Sequence, residues 1–115
     1  MAIKSYKELI VWQKAIDLVR EIYVITGNLP KIELFTLVSQ MRRAAISIPS
    51  NIAEGFNRRN TKEYRQFLHV SYGSGSELET QIIITKSIYP GFNFTKCENL
   101  LSEVQRMLNV LISRL

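Results

Sequence analysis

The sequence predicts an all-α protein in which a single domain, residues 1–115, folds as an antiparallel four-helix bundle. Apolar residues recur every three or four positions in four separate segments, and short turn signals lie between these segments. No segment alternates apolar and polar residues as a half-buried strand does. A composition with 46% hydrophobic and 22% charged residues belongs to an ordinary globular domain rather than a disordered chain.

The first predicted helix opens with a capping box formed by Ser5 and Glu8, and Gly27 ends it. Its apolar residues form two adjoining stripes. One consists of Leu9, Trp12, Ile16, Val19 and Tyr23, and the other of Val11, Ala15, Leu18, Ile22 and Ile25. Because one neighbouring helix covers only one stripe, we expect this helix to be central in the bundle or shared with another subunit.

The second predicted helix begins near Pro30, and its apolar stripe passes through Pro49 without a change of phase. The stripe consists of Leu34, Val38, Met41, Ala45, Ile48 and Ile52. A proline inside a helix removes a backbone hydrogen bond and costs about 3 kcal/mol. Because the phase is kept, the sequence predicts a helix kinked at Pro49, with Ser47 and Ser50 supplying local hydrogen bonds.

Two further helices complete the predicted bundle. Asn60 or Thr61 is expected to cap the third, whose inner face consists of Tyr64, Leu68, Ser71, Gly75, Leu78 and Ile82. Gly73 and Gly75 each cost about 1 kcal/mol relative to alanine within a helix, which indicates a closely approaching helix or a local bend. A capping box formed by Thr95 and Glu98 opens the fourth helix, whose core stripe is Leu101, Val104, Leu108, Leu111 and Leu115.

Basic residues are concentrated in the middle of the chain. The formal net charge is +5, and the stretch from residue 42 to residue 65 contains six basic residues and two acidic ones. The six are Arg42, Arg43, Arg58, Arg59, Lys62 and Arg65. They form a candidate surface for the phosphates of RNA or another nucleic acid, and a solvated helix face is the alternative reading.

Polar residues lie in register beside the apolar stripes of the second and third helices. Gln40, Ser47, Asn51 and Glu54 share one face of the second helix, and Ser74 and Glu77 form a comparable line on the third. Polar residues spaced so regularly beside a core favour hydrogen bonding across helices or across a subunit interface over catalysis.

The sequence lacks the residue patterns of common catalytic and metal sites. His69 is the single histidine and Cys97 the single cysteine, so neither a di-iron bundle site nor a cysteine-based zinc site is expected. The segment "YGSGS" matches neither a nucleophile elbow nor a phosphate loop. We therefore expect no catalytic residues, no metal and no cofactor. No membrane span or signal peptide is predicted, so a cytoplasmic location is expected.

Three segments, "LIVWQKAIDLVREIYVIT", "QMRRAAISIPSNIAEGFNRRNTKEYRQFL" and "GSGSELETQI", resemble successive motifs of a known bacterial family. It is the four-helix-bundle family named for intervening sequences in large-subunit ribosomal RNA genes, and the resemblance covers almost the whole chain. It implies a bundle that assembles as a homopentamer and, from gene location, an association with ribosomal RNA. Related proteins that accompany reverse transcriptases resemble basic pentameric barrels that bind nucleic acid and the polymerase.

Two functions of different classes are consistent with these observations. In the first, a ring of subunits repeats the basic residues and contacts nucleic-acid phosphates without reading sequence. In the second, the chain is a self-assembling scaffold that binds a protein partner, and the arginines serve interface salt bridges or solubility. The first is preferred, and it is not enzymatic.

Overall fold

The computed structural model describes residues 2–115, and this part of the chain is helical without strands. Its four long helices are α1 (Ile10–Thr26), α2 (Ser39–Phe56), α3 (Thr61–Ile88) and α4 (Thr95–Ser113). A 3₁₀ turn (Tyr6–Glu8) precedes α1, and a 3₁₀ turn (Lys31–Glu33) followed by a π turn (Leu34–Val38) precedes α2. The predicted all-α, four-helix fold is therefore confirmed.

Each helix contacts the next one along the chain, and α4 also contacts α1. Polar contacts join the end of one helix to the start of its neighbour. Arg42 near the start of α2 bonds to Thr26 at the end of α1, and Lys86 near the end of α3 pairs with Glu98 at the start of α4. This order of contacts agrees with antiparallel neighbours, and the antiparallel arrangement stays a prediction. The molecule is elongated, with extents of 45 × 22 × 20 Å.

The core buries one of the two apolar stripes of α1. Val11, Ala15, Leu18 and Ile22 are buried, and the second stripe lies at the edge beside α2, where Tyr23 is 41% exposed. The rest of the chain contributes the other core residues: Leu29, Val38, Met41, Ala44, Ala45, Ile48 and Ile52; Leu68, Leu78 and Ile82; and Phe94, Cys97, Leu101, Val104 and Leu108. A single subunit therefore leaves part of the apolar face of α1 uncovered.

The starts of α1 and α2 differ from the prediction. Ser5 and Glu8 do form a capping box, but it caps the 3₁₀ turn, because Leu9 adopts an extended conformation that separates this turn from α1. Pro30 likewise precedes the 3₁₀ turn, and α2 begins only after the π turn.

The starts of α3 and α4 show one correct cap and one wrong one. Asn60 caps α3 as predicted, since its side chain accepts a hydrogen bond of 2.8 Å from the backbone N–H of Glu63. Thr95, in contrast, is the first residue of α4 and not its cap. Its own backbone N–H donates to the side chain of Asn93 at 3.0 Å, so this asparagine takes part of the capping role.

Helix α2 is continuous through Pro49. The hydroxyl of Ser50 donates to the carbonyl of Ile46 at 2.8 Å, and the side chain of Asn51 donates to the carbonyl of Ser47 at 2.8 Å. These bonds supply local polar contacts on both sides of the proline, which has no N–H to donate. The kink at Pro49 remains a prediction.

Two glycines allow neighbouring groups to approach the helix backbone. A methyl group at Gly55 would lie 2.6 Å from Cβ of Phe67, and one at Gly75 would overlap the side-chain amide of Gln105. A methyl group at Gly73 would meet nothing within 4 Å. A close approach to α3 is thus confirmed at Gly75 and absent at Gly73, where the alternative, a local bend, stays a prediction.

We predict opposite effects for alanine at Gly55 and at Gly73. Gly55→Ala should lower the free energy of unfolding by about 1 to 3 kcal/mol, because the added methyl group overpacks the contact with Phe67. Gly73→Ala should raise it by up to about 1 kcal/mol, because alanine favours the helix and the site has room. Urea denaturation of both variants measures the two changes. Equal stability of both would contradict the packing described for Gly55.

Candidate nucleic-acid interface

The structure divides the six basic residues of the sequence cluster into two groups. Arg42 and Arg43 lie near the start of α2, whereas Arg58 follows its end. This helix has 18 residues and is therefore about 27 Å long at 1.5 Å per residue. The residues close in sequence thus lie towards opposite ends of the bundle.

Arg42 has a structural role. Its Nε atom donates to the hydroxyl of Thr26 at 3.0 Å, its Nη2 atom donates to the carbonyl of Tyr23 at 3.3 Å, and its guanidinium lies 4.2 Å from the centroid of the Tyr23 ring. These contacts tie the start of α2 to the end of α1. Arg43 is exposed beside this contact, and it lines two open pockets, one with Tyr23 and Arg42 and the other with Glu77 and Gln81.

The opposite end of the bundle collects basic residues from several segments. Arg58, Arg59, Lys62 and Arg65 lie between the end of α2 and the first turns of α3. Arg65 bonds to the carbonyl of Leu115, which brings the end of the chain to the same place. The segment before α1 adds two lysines, and the residue after α4 adds an arginine. We call the full set the basic end: Lys4, Lys7, Arg58, Arg59, Lys62, Arg65 and Arg114.

Three acidic residues also lie at the basic end, and each is engaged in a local bond. Glu8 accepts hydrogen bonds from the backbone N–H groups of residues 4 and 5. Glu54 pairs with Arg58 at 3.0 Å, and Glu63 accepts a bond of 2.7 Å from the side chain of Asn60. Seven basic residues against three acidic ones leave most of the protein's net charge at this end.

Five cations of the basic end are exposed and have no acidic partner within residues 2–115. They are Lys4, Lys7, Arg59, Lys62 and Arg114. Three of these, Lys4, Lys7 and Arg114, lie outside the cluster identified from the sequence. Their position agrees with the predicted antiparallel arrangement, in which the chain termini and the α2–α3 connection meet at one end.

The aromatic residues near the basic end pack against the protein. The rings of Phe56 and Tyr64 contact each other edge to face with centroids 6.0 Å apart, and both residues are half-buried. Burial raises the pKa of the Tyr64 hydroxyl. Because these rings are engaged, the surface offers cations for phosphates rather than faces for base stacking.

Part of the predicted polar line joins α2 to α3. The hydroxyls of Ser47 and Ser74 are 2.7 Å apart, and the side chain of Asn51 donates to the Ser47 hydroxyl at 3.0 Å. One turn earlier in α3, the hydroxyl of Ser71 donates to the carbonyl of Ile48 at 2.9 Å. Glu54 does not join this network, because it pairs with Arg58 on the helix surface.

Gln40 and Glu77, the other residues of the predicted polar line, border an open pocket. Gln40, Arg43, Glu77 and Gln81 surround a cavity of about 210 Å³ between α2 and α3. Gln81 is only 7% exposed, and its side-chain oxygen has no hydrogen-bond donor among the described residues. In the same part of the chain, neither Arg43 nor Glu77 forms an ion pair. This pocket, which we call the polar pocket, therefore contains polar groups without partners.

The single histidine and the single cysteine are not part of the polar pocket. His69 is exposed on α3, and Cys97 is buried in α4. Burial, reinforced by the nearby Glu21, raises the pKa of the Cys97 thiol to about 11, so the thiol is protonated at neutral pH. Within residues 2–115, no three His, Cys, Asp or Glu side chains are grouped to hold a metal ion.

No helix in the described part of the chain combines the length and apolar character that crossing a lipid bilayer requires.

The comparisons with known proteins identify one family. The family model described as 23S rRNA-intervening sequence protein matches residues 7–110, which include all four helices except the last residues of α4. No curated protein matches the chain.

We predict that Ser47 stabilises the bundle more than Glu54 does. Ser47→Ala should lower the free energy of unfolding by about 1 kcal/mol, because it removes bonds to Asn51 and Ser74 at the half-buried seam. Glu54→Ala should change it by less than about 0.5 kcal/mol, because its ion pair with Arg58 is solvent-exposed. Thermal and urea denaturation test both values. A larger loss for the Glu54 variant would show that Glu54 takes part in the helix contact.

Proposed function

Because the chain belongs to the 23S rRNA-intervening sequence protein family, we propose that it is a non-enzymatic, ring-forming protein that binds RNA through its basic end. The proposed ring is a homopentamer, as the resemblance implies. The observation that supports RNA binding is the group of five exposed cations without acidic partners at one end of the subunit. A cytoplasmic location in a bacterium fits this function.

Ring formation would multiply a modest charge into a continuous surface. If the helices run along the ring axis, cyclic symmetry places the basic end of every subunit on the same side of the ring. Phosphates that bind there release counterions from the RNA, so the affinity falls as salt rises. Because Phe56 and Tyr64 pack against each other, they offer no free ring face for RNA bases to stack on. The proposal therefore predicts that the protein recognises the backbone and shape of the RNA rather than its sequence.

We predict that reversing two cations of the basic end removes RNA binding. The test measures fluorescence anisotropy of a structured ribosomal RNA hairpin and a single-stranded control across a salt series. Arg59→Glu with Lys62→Glu should weaken binding more than about tenfold and lower the slope of log affinity against log salt by about one to two. Both residues are exposed and lack acidic partners, so the fold should remain intact.

The matched control is Arg20→Glu with Lys31→Glu, which changes the net charge equally but lies away from the basic end. Arg20 is exposed in α1, where it forms a solvent-exposed ion pair of 3.5 Å with Asp17, and Lys31 is exposed before α2. This control should keep most of the affinity. Equal losses in both double variants would mean that net charge, and not the basic end, governs binding.

The second candidate function is a scaffold for a protein partner, and a groove between α1 and α4 favours it. The groove measures about 400 Å³, and its apolar lining includes Leu9, Ile10 and Val110, with Arg106 and Arg114 also among the lining residues. Such a surface suits an apolar segment that carries acidic residues. Absence of RNA binding by the wild-type protein even at low salt would favour this second function.

A further inference from the structure

A ring built by rotation requires two different faces on each subunit, one for each neighbour. The subunit has two such faces, and they share α2. The first is a groove between α1 and α2, and the second is a line of α3 residues on the side next to α2. Both expose apolar side chains.

The α1–α2 groove contains two apolar pockets in succession. The pocket nearer the basic end measures about 300 Å³ and includes Trp12, Pro49 and Ala53. The second measures about 330 Å³ and includes Tyr23 and Phe35. Phe35 is 88% exposed. An apolar groove with a nearly fully exposed aromatic residue is characteristic of a surface that another protein covers.

The second face is a stripe along α3 with spacings of 4-3-4-3-4. We call it the α3 stripe, and it consists of Val70, Ser74, Glu77, Gln81, Ile84 and Ile88. Its apolar members lie towards its two ends, where Val70, Ile84 and Ile88 are exposed by 51%, 44% and 55%. Its middle carries Glu77 and Gln81, which line the polar pocket.

Contacts between α2 and α3 fix the level of each stripe residue along the bundle axis. Ser71 contacts Ile48, so Val70 lies at the level of the pocket that contains Pro49. Thr85 contacts Met41, so Ile84 lies at the level of the second pocket. Rotation about an axis parallel to the helices preserves these levels. The apolar residues of the α3 stripe therefore lie at the levels of the two pockets that a neighbouring copy presents.

The charges match in the same way. Arg43 lies on the edge of α2 between the two faces, where it lines both the second pocket of the groove and the polar pocket. Glu77 lines the polar pocket at the same level. Because the two residues lie at one level along the bundle axis, a rotated copy would bring Arg43 of one subunit to Glu77 of the next. Neither residue has an ionic partner among the described residues.

We propose that the α3 stripe of one subunit packs into the α1–α2 groove of the next copy of this chain, with Arg43 paired to Glu77 across the contact. This inference rests on the proposed ring and assigns the partner of both faces. A ring subunit narrows towards the axis, so the helix shared by the two faces lies innermost. In this arrangement α2 lines the centre of the ring.

Two neighbouring isoleucines provide a matched test of the apolar contact. Ile84 belongs to the α3 stripe, whereas Ile83, which is 60% exposed, lies a helical step of about 100° away from it. Ile84→Asp should convert the assembly to monomers in native mass spectrometry, and Ile83→Asp should leave the assembly intact. Circular dichroism checks that both variants stay folded. Equal assembly of both variants would overturn the proposed interface.

The charge pair provides a second test that does not depend on apolar packing. Arg43→Glu and Glu77→Arg should each disrupt assembly, and the double variant R43E/E77R should restore it. An equal mixture of the two single variants should also assemble, because position 43 of one variant then faces the opposite charge at position 77 of the other. In a ring of five, the number of contacts between identical variants is lowest when three subunits are of one variant and two are of the other. Native mass spectrometry should therefore show the masses of these two mixed pentamers.

The outcomes separate this interface from the proposed function. A wild-type protein that is monomeric at every concentration would overturn both the ring and the interface. If the wild type forms a ring and I84D forms it too, the interface alone would be overturned. The same holds if the double variant R43E/E77R assembles but the mixture of the two single variants does not. RNA binding by the wild-type ring is measured separately, so its failure would leave the interface standing.

Discussion

The close packing of α2 against α3 is the constraint on which the other features of this bundle depend. Small residues make it possible, because Gly55 leaves room for Phe67 and the hydroxyls of Ser47 and Ser74 meet across the seam. This contact fixes the relative level of the two helices along the bundle axis. The short connection between them, which contains Arg59, therefore lies at one end of the bundle. The basic end and the polar pocket are both consequences of this arrangement.

Much of the fold follows from the sequence, because the spacing of apolar residues indicates which side of each helix is buried. The exact starts do not follow, since a capping pattern specifies bonds without specifying which backbone turn receives them. Ser5 and Glu8 form their predicted bonds, yet the extended conformation of Leu9 confines them to a 3₁₀ turn. At α4, Asn93 supplies the side-chain bond that the spacing assigned to Thr95.

The site follows from the sequence less completely than the fold does, because the order of charges along the chain does not give their positions in space. Arg42 and Arg43 belong to the sequence cluster, but the length of α2 separates them from Arg59. Lys7 and Arg114 join the basic end only through the topology of the bundle. The polar line predicts the hydrogen bonds across the α2–α3 contact correctly at Ser47. It does not predict the partner of a long side chain such as Glu54, which can reach several groups. No sequence pattern indicates that Arg43 and Glu77 lack partners, since this depends on side-chain geometry.

The arrangement also answers a physical difficulty of the proposed ring. Five basic ends on one side of a ring repel one another, and a ring held together mainly by charge would weaken or strengthen with every change of salt. The proposed contact would avoid this difficulty because it buries exposed apolar residues such as Phe35 and Ile84, and apolar burial does not depend on screening by salt. The proposed RNA binding at the basic end would remain strongly salt-dependent. Assembly and RNA binding would thus respond differently to the same ions, and the ring could persist after its RNA dissociates.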